Sequence, residues 1–322
     1  MGKKSLPFCS PSNTEQCVVI GTDTFGTVYK TVVRGDCTLP ALAGLRNQEI
    51  AIKVFTKTDK DCYDNEKRMY ERLKELRISG IVPFYCGIQF GNANYICMKL
   101  CEFSLSHMLT TPNKVTIECF HNIHDTLTQT IGEMLRFDIA HRDIQPENIL
   151  FAEGDFYLCD IGAMKKSPKC IHSDTYQSVG RYLHPDFGDD IEVIDYYSLG
   201  VTLVEVLESI LMGLPNTEEV EQVREWFEAL WTAHSSNRLS MHSMMNRLAA
   251  REELPFLEER VAECANICSQ LLNKKVTNNA DQLLCKLCKA QKMKSEFSIS
   301  GKKLPTGEII NICSSCSDVL RE

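Results

Sequence analysis

Two groups of residues in this chain have types and spacing suited to chemistry. Cys285-Lys-Leu-Cys288 and Cys313-Ser-Ser-Cys316 form two C-x2-C knuckles with 24 residues between them. Four thiolates offered pairwise from tight turns suit a tetrahedral Zn²⁺, and with all four positions filled by protein the site is structural, not catalytic. The intervening segment has too few apolar residues to fold without a metal. The second group begins with Gly21-Thr-Asp-Thr-Phe-Gly26-Thr-Val28, between two β-rich runs. Glycine lets backbone amides approach phosphate oxygens closely, although a two-glycine hairpin turn is the bland alternative. In Ala51-Ile-Lys53-Val54, strand alternation turns the lysine toward a cleft. Thirteen residues on, Glu66 falls in a helical segment, placed to pair with Lys53 and hold it against a nucleotide's phosphates.

The run His141-Arg142-Asp143-Ile-Gln145-Pro-Glu147-Asn148-Ile-Leu150 is followed by Cys159-Asp160-Ile161-Gly162. Here the chain closely resembles the eukaryotic protein kinase family, whose catalytic loop reads H-R-D-L-x-x-x-N and whose metal-binding loop reads D-F-G. The ordered match, from glycine-rich loop to metal loop, covers residues 15 to 250. The resemblance implies ATP, Mg²⁺ (with Mn²⁺ as its substitute), and a protein hydroxyl, preferably Ser or Thr, as acceptor. It implies that Asp143 orients or deprotonates that hydroxyl. Asn148 and Asp160 become metal ligands, and Lys53 with Glu66 fixes the α- and β-phosphates. Ile20, Gly21, Gly26, Val28, Ala51 and Met98 would surround the nucleotide, Met98 as gatekeeper. Asp195, opening Asp195-Tyr-Tyr-Ser-Leu-Gly200, would brace the catalytic loop from below. Asp186 would pair with Arg238.

The chain also departs from the pattern. Asp23 replaces a loop glycine, and Ile161 replaces the Phe of D-F-G. His184-Pro185-Asp186 stands for A-P-E. Gln145 occupies the place of a lysine that neutralises the transferring phosphoryl group in serine/threonine kinases, and Val179 that of its Thr partner, unless a one-residue shift brings Ser178 there. Ser167, Ser173, Thr175, Tyr176 and Ser178 are candidate phosphosites, and Arg142 could receive such a phosphate. An active protein kinase is the leading reading. A pseudokinase acting as a nucleotide-binding scaffold is the alternative, and a small-molecule phosphotransferase is a third.

These residues need elements to position them. Cys17 to Ile20, Thr27 to Val33, Glu49 to Phe55 and Asn94 to Leu100 read as strands, and Asp64 to Leu76 as a helix. Residues 35 to 48 form a connection, with Pro40 and two glycines. From about residue 117 the pattern is mainly helical, at Glu192 to Ile210, Val220 to Trp231 and Ala262 to Leu272. Strands first and helices afterwards predict an α+β, bilobal protein with an antiparallel N-terminal sheet, a helical C-terminal lobe and a cleft between them. The expected organisation is a leader (1–14), the kinase-like domain (15–250), a helical linker (251–282) and a zinc-ribbon-like module (283–318).

With 322 residues, 43% hydrophobic and 24% charged, the composition is globular and large enough for two units. A net charge of -8 excludes a general attraction to nucleic acid or anionic membrane. The start MGKKSLPF has no apolar signal segment, and Leu6 occupies the Ser/Thr position of a myristoylation signal. The sixteen cysteines are therefore read as reduced thiols of an intracellular protein, cytoplasmic or nuclear, not secreted and with no membrane span. Lys286, Lys289, Lys292, Lys294, Lys302 and Lys303 make the cysteine module basic, which suits nucleic acid. Glu296, Glu308 and the lack of an aromatic stacking row favour docking of a substrate or protein partner instead.

Overall fold

The computed structural model describes residues 6–9, 17–22, 26–56, 59–111, 114–163, 165–166, 180–183, 191–215, 217–237 and 240–274, and four short strands beyond. The chain divides into two units, Met1–Lys274 and Lys275–Glu322.

The first unit opens with five strands: β1 (Cys17–Thr22), β2 (Thr27–Val32), β3 (Glu49–Phe55), β4 (Phe84–Phe90) and β5 (Ala93–Met98). They form one antiparallel sheet in the order β1-β2-β3-β5-β4. Strand β3 shows why the sheet has two distinct faces. Its period of two sends Ile50 and Ile52 into an outer cluster with Phe8, Leu42 and Tyr95, and sends Ala51 and Phe55 into the main core. Lys53 has the parity of Ala51 and so shares the inner face. Residues 35–48 hold the 3₁₀ turn Pro40–Leu45, whose Leu42 is fully buried in the outer cluster.

Helix α1 (Lys60–Glu75) packs on the inner face. Its buried stripe, Tyr63, Glu66, Tyr70 and Leu73, has helical spacing and contains one carboxylate. Strand β4 went unmarked in the sequence because Gly87 interrupts its pattern. A Cβ there would lie 2.7 Å from both the Tyr63 hydroxyl and Lys67 Cδ, so a larger residue would displace those two α1 side chains where the helix packs on β4.

After β5 the chain enters the second lobe through residues 99–102. The hairpin-like ladder β6 (Phe103–Ser104), β8 (Ile149–Ala152) and β9 (Asp155–Leu158) lines its upper edge. Helix α2 is Leu105–Leu109 and α3 is Ile117–Leu135, the latter capped by the Thr116 hydroxyl, which accepts from Cys119 N–H. Strand β7 (Ile139–Ala140) pairs with β10 (Lys165–Lys166). Helix α4 (Ile191–Met212) buries Leu199, Val201, Leu203, Val204, Val206 and Leu207 and is the spine of this lobe. Against it pack α3, α5 (Thr217–Ser236) and α7 (Glu259–Leu272), and α6 (Ser240–Ala249) packs on α5 and α7. The result is the two-lobed α+β architecture expected, with a cleft between a sheet lobe and a helical lobe.

One boundary is corrected. Residues 251–282 were expected to be a linker, yet α7 buries Val261, Cys264, Ala265, Cys268 and Leu271 against α4 and α6. A helix with that apolar face is part of the lobe it covers, and the first unit runs to Lys274. The i to i+4 pair Cys264 and Cys268 is accordingly a packing pair.

The second unit contains two short antiparallel ladders, β11 (Gln282–Leu284) with β12 (Gln291–Met293), and β13 (Lys302–Lys303) with β14 (Ile309–Ile310). Cys285, Cys288, Cys313 and Cys316 lie outside the described residues. Among the described residues no helix is long and apolar enough to cross a membrane, and no three or more His, Cys, Asp or Glu side chains gather to hold a metal ion.

Candidate active site

The cleft between the lobes has a volume of about 1020 Å³. Its roof is sheet: Ile20 and Gly21 from β1, Val28 from β2, Ala51 from β3 and Met98 at the end of β5 line it. Gly26 does not line the cleft but lets β2 close on β3. A Cβ there would meet the Val54 carbonyl oxygen at 2.7 Å, and backbone cannot give way. The back of the cleft holds Lys53, whose Nζ lies 2.8 Å from Glu66 Oε2 and 3.1 Å from Asp160 Oδ1. Lys53 and Glu66 are 2% and 1% exposed, so the Glu66 charge needs Lys53, and the Lys53 charge needs the two carboxylates around it. The α1 carboxylate thus meets the β3 lysine, and Asp160, from a loop far along the chain, joins them.

The floor comes from the loop between β7 and β8. Asn148 Nδ2 donates to Asp143 Oδ2 at 2.7 Å and to the Asp143 carbonyl at 2.9 Å. Gln145 Nε2 donates to Asp143 Oδ1 at 3.0 Å. Both carboxylate oxygens of Asp143 are therefore held. Burial lifts the Asp143 pKa above the ordinary carboxylate value and the nearby Asp160 charge adds to it, while His141, Asn148 and Gln145 oppose the rise. The net effect makes Asp143 a better proton acceptor.

Asp195 anchors this loop. It is buried in the second turn of α4, where its Oδ2 accepts the backbone N–H of His141 at 2.7 Å, and its Oδ1 accepts that of Arg142 at 2.8 Å. The His141 ring spans to the neighbouring loop, where Nε2 donates to the Cys159 carbonyl at 3.0 Å. Arg142 (φ 71°) and Asp160 (φ 52°) both adopt the left-handed backbone region without being glycine. Such conformations cost free energy and persist where surrounding bonds over-determine them.

For a divalent cation the donor chemistry fits. Asp160 supplies carboxylate oxygen at the cleft wall. Asn148, with its nitrogen committed to Asp143, presents Oδ1 as the atom able to ligate. Two hard oxygen donors facing a phosphate site suit Mg²⁺.

Asp23, Asp186, Arg238 and the candidate phosphosites lie outside the described residues. The structure adds residues that spacing did not reveal. Glu147 bonds the Ser106 hydroxyl at 3.1 Å. Farther from the cleft, Glu205 of α4 accepts from Arg181 Nη1 at 2.9 Å and from the Tyr182 hydroxyl at 2.9 Å. The Arg181 guanidinium lies 4.6 Å from the Trp231 ring centre, and Trp231 Nε1 donates to Glu208 at 2.8 Å. The available signal was Glu205 and Glu208 following the apolar run Val201–Val204 on α4.

Comparison with known proteins bears on this geometry. A family model described as a protein kinase domain matches residues 14–294. A Clostridium acetobutylicum protein named "Probable serine/threonine-protein kinase" is 32% identical over 181 residues, covering 52% of this chain and 27% of that protein. The Wee1-like protein kinase of Arabidopsis thaliana is 27% identical over 71% of this chain and 45% of its own length. Cyclin-dependent kinase 7 of Dictyostelium discoideum is 25% identical over 68% and 61%. The chain thus spans between about a quarter and three fifths of these relatives.

Proposed function

The chain belongs to the protein kinase domain family, and we propose that it is an active enzyme transferring the γ-phosphoryl group of ATP to a protein hydroxyl, preferably of Ser or Thr. One observation carries this reading above others: Lys53 is held between Glu66 and Asp160 at one wall of a cleft whose floor presents an Asp143 carboxylate fixed by two amide donors. Phosphoryl transfer is mostly positioning and charge neutralisation, and these residues do both. Lys53 offers its ammonium to the α- and β-phosphates. Asn148 and Asp160 would hold Mg²⁺, which when bound neutralises charge on the phosphate oxygens. Asp143, lifted in pKa by burial, orients the acceptor hydroxyl and takes its proton. The Ala51 and Val28 side chains exclude water above the nucleotide, and Met98 closes the inner end.

Transfer of ³²P from γ-labelled ATP to a mixed peptide library tests the proposal, with Asp143→Asn as control. Label on Ser or Thr that the control loses supports it. Binding of ATP without any transfer would instead favour the nucleotide-binding scaffold, and label confined to tyrosine would overturn the acceptor class.

The four cysteines of the second unit support, by spacing alone, a structural Zn²⁺ and a docking role for that unit toward a substrate or protein partner. Purified protein should carry one zinc per chain, lost in a Cys285→Ser, Cys316→Ser double variant. Equal zinc content in both would remove the module.

A further inference from the structure

The outer face of the N-terminal sheet carries thiols that phosphoryl transfer does not use. Cys86 on β4 and Cys97 on β5 are direct cross-strand partners, one step past the bulge in which Tyr85 is the extra residue. Both side chains belong to the outer cluster, Cys97 fully buried and Cys86 half-buried. Residues directly opposite in an antiparallel pair have Cα atoms about 4.5–5.5 Å apart, within the roughly 4.4–6.8 Å that a disulfide bridges. We infer that Cys86 and Cys97 form a redox pair that hydrogen peroxide converts into a cross-strand disulfide.

The two positions differ in a way that assigns their roles. Cys86 is the one a small oxidant reaches, and Cys97 stands behind it as the resolving thiol. The Cys97 thiol, hydrogen-bonded to Cys86, holds the Cys86 pKa below the ordinary value against partial burial, and Lys74 adds to that. The same bond, followed by burial, pushes Cys97 up. The Cys86 thiolate attacks the peroxide O–O bond and becomes a sulfenic acid, releasing hydroxide that takes up the thiol's proton as water. The Cys97 sulfur then displaces the sulfenic oxygen, which leaves as a second water with the Cys97 proton. Both sulfurs are oxidised by one electron each and the peroxide is reduced by two. The bond would tie β4 to β5 beside Met98, the residue that follows Cys97 and lines the nucleotide cleft.

The chemistry is independent of the kinase reading, so the two fail separately. The reduced full chain is treated with a few equivalents of hydrogen peroxide, alkylated with N-ethylmaleimide in denaturant and digested with trypsin without reduction. Both thiols fall in the tryptic peptide Ile78–Lys99. The expected product is that peptide two hydrogens lighter and unalkylated, reverting on treatment with dithiothreitol. In Cys97→Ser, or Cys97→Ala where serine does not fold, the Cys86 sulfenic acid should persist and label with dimedone severalfold more than in the wild type. A cross-link from Cys97 to the neighbouring Cys37, which would join two tryptic peptides, overturns the pairing. Full alkylation of Ile78–Lys99 after peroxide, or dimedone labelling of Cys86 unchanged by loss of Cys97, overturns it equally.

Discussion

Replacing Asp195 by alanine should damage stability and turnover together. The carboxylate is fully buried and accepts two backbone donors, from His141 at 2.7 Å and Arg142 at 2.8 Å. Each donor left buried without a partner costs about 1–3 kcal/mol, so the pair costs about 4 kcal/mol near mid-range. A domain of this size loses about 2–4 °C of Tm per kcal/mol, which gives a fall of roughly 8–16 °C. The same bonds hold Arg142 at φ 71°, where an arginine does not rest unaided. Freed, Arg142 relaxes toward the right-handed region and carries Asp143, the next residue, with it. A displacement of about 1 Å at a catalytic group costs roughly 100-fold, so kcat should drop by about that factor well below the variant's Tm. Asp195→Asn keeps the shape and one acceptor oxygen but turns an N–H toward the other donor, so it should fall between. Calorimetry and peptide phosphorylation at one temperature measure both effects. A variant that melts early yet keeps full kcat would refute the claim that Asp195 positions Asp143, and an unchanged Tm would refute the burial argument itself.

Three further outcomes follow from the same geometry. Lys53→Ala should abolish transfer and, by stranding the Glu66 carboxylate, cost about 3–5 kcal/mol, while Lys53→Ala with Glu66→Gln should cost clearly less than the sum of the singles; additivity in denaturant titrations would mean the two are not coupled. Gln145→Lys should raise kcat on serine and threonine peptides about tenfold with little change in the KM for ATP, since a charged donor near the transferring group is about twice as strong as an amide. An unchanged or lower kcat would point to a site rebuilt around glutamine, in keeping with its bond to Asp143. Burial, helped by Glu147 and Glu208, raises the Glu205 pKa from 4.5 to about 7 against the pull of Arg181 and Tyr182. The folded state therefore holds this proton more tightly than the unfolded chain, and stability is lost as pH rises from about 4.5 to 7, by about 3 kcal/mol. Glu205→Gln should remove that slope, and a wild-type-like pH dependence of Tm in the variant would sink the assignment.

The site was legible where chemistry forces residue type and local order. Lys53 could be read because a strand of period two leaves few directions for a lysine among apolar neighbours, and Glu66 because it falls thirteen residues on in a segment of helical pattern. Asp143, Asn148 and Asp160 lie within short runs whose order is visible in one dimension. Strand β4 was not legible, since Gly87 lowers strand propensity and only the packing of Tyr63 and Lys67 explains it. The place of α7 was equally hidden. An amphipathic helix after a loop reads the same whether it links two units or covers one, and the partner surface on α4 and α6 is known only in three dimensions. The contact between Gln145 and Asp143 is a further case, because two residues apart in a loop they could face anywhere.

The distribution of cost across the fold argues for turnover over mere binding. Nearly all the buried polar groups around the cleft are there at a penalty: Lys53, Glu66, Asp143 and Asp195 are removed from water, and Arg142 and Asp160 sit in strained backbone. A nucleotide could be held by the apolar roof and Lys53 alone, with the floor loop relaxed. Instead, the strain and the buried charge of the floor converge on the two aspartates that would take the acceptor proton and hold the metal. Asp195 is spent entirely on the backbone that carries Asp143, and His141 links that loop to the one carrying Asp160. Affinity alone asks only for Asp160 at the metal, not for Asp143 to be fixed relative to it. That fixing has value when one carboxylate must face an acceptor hydroxyl while the other faces the phosphate, which is the requirement of in-line transfer.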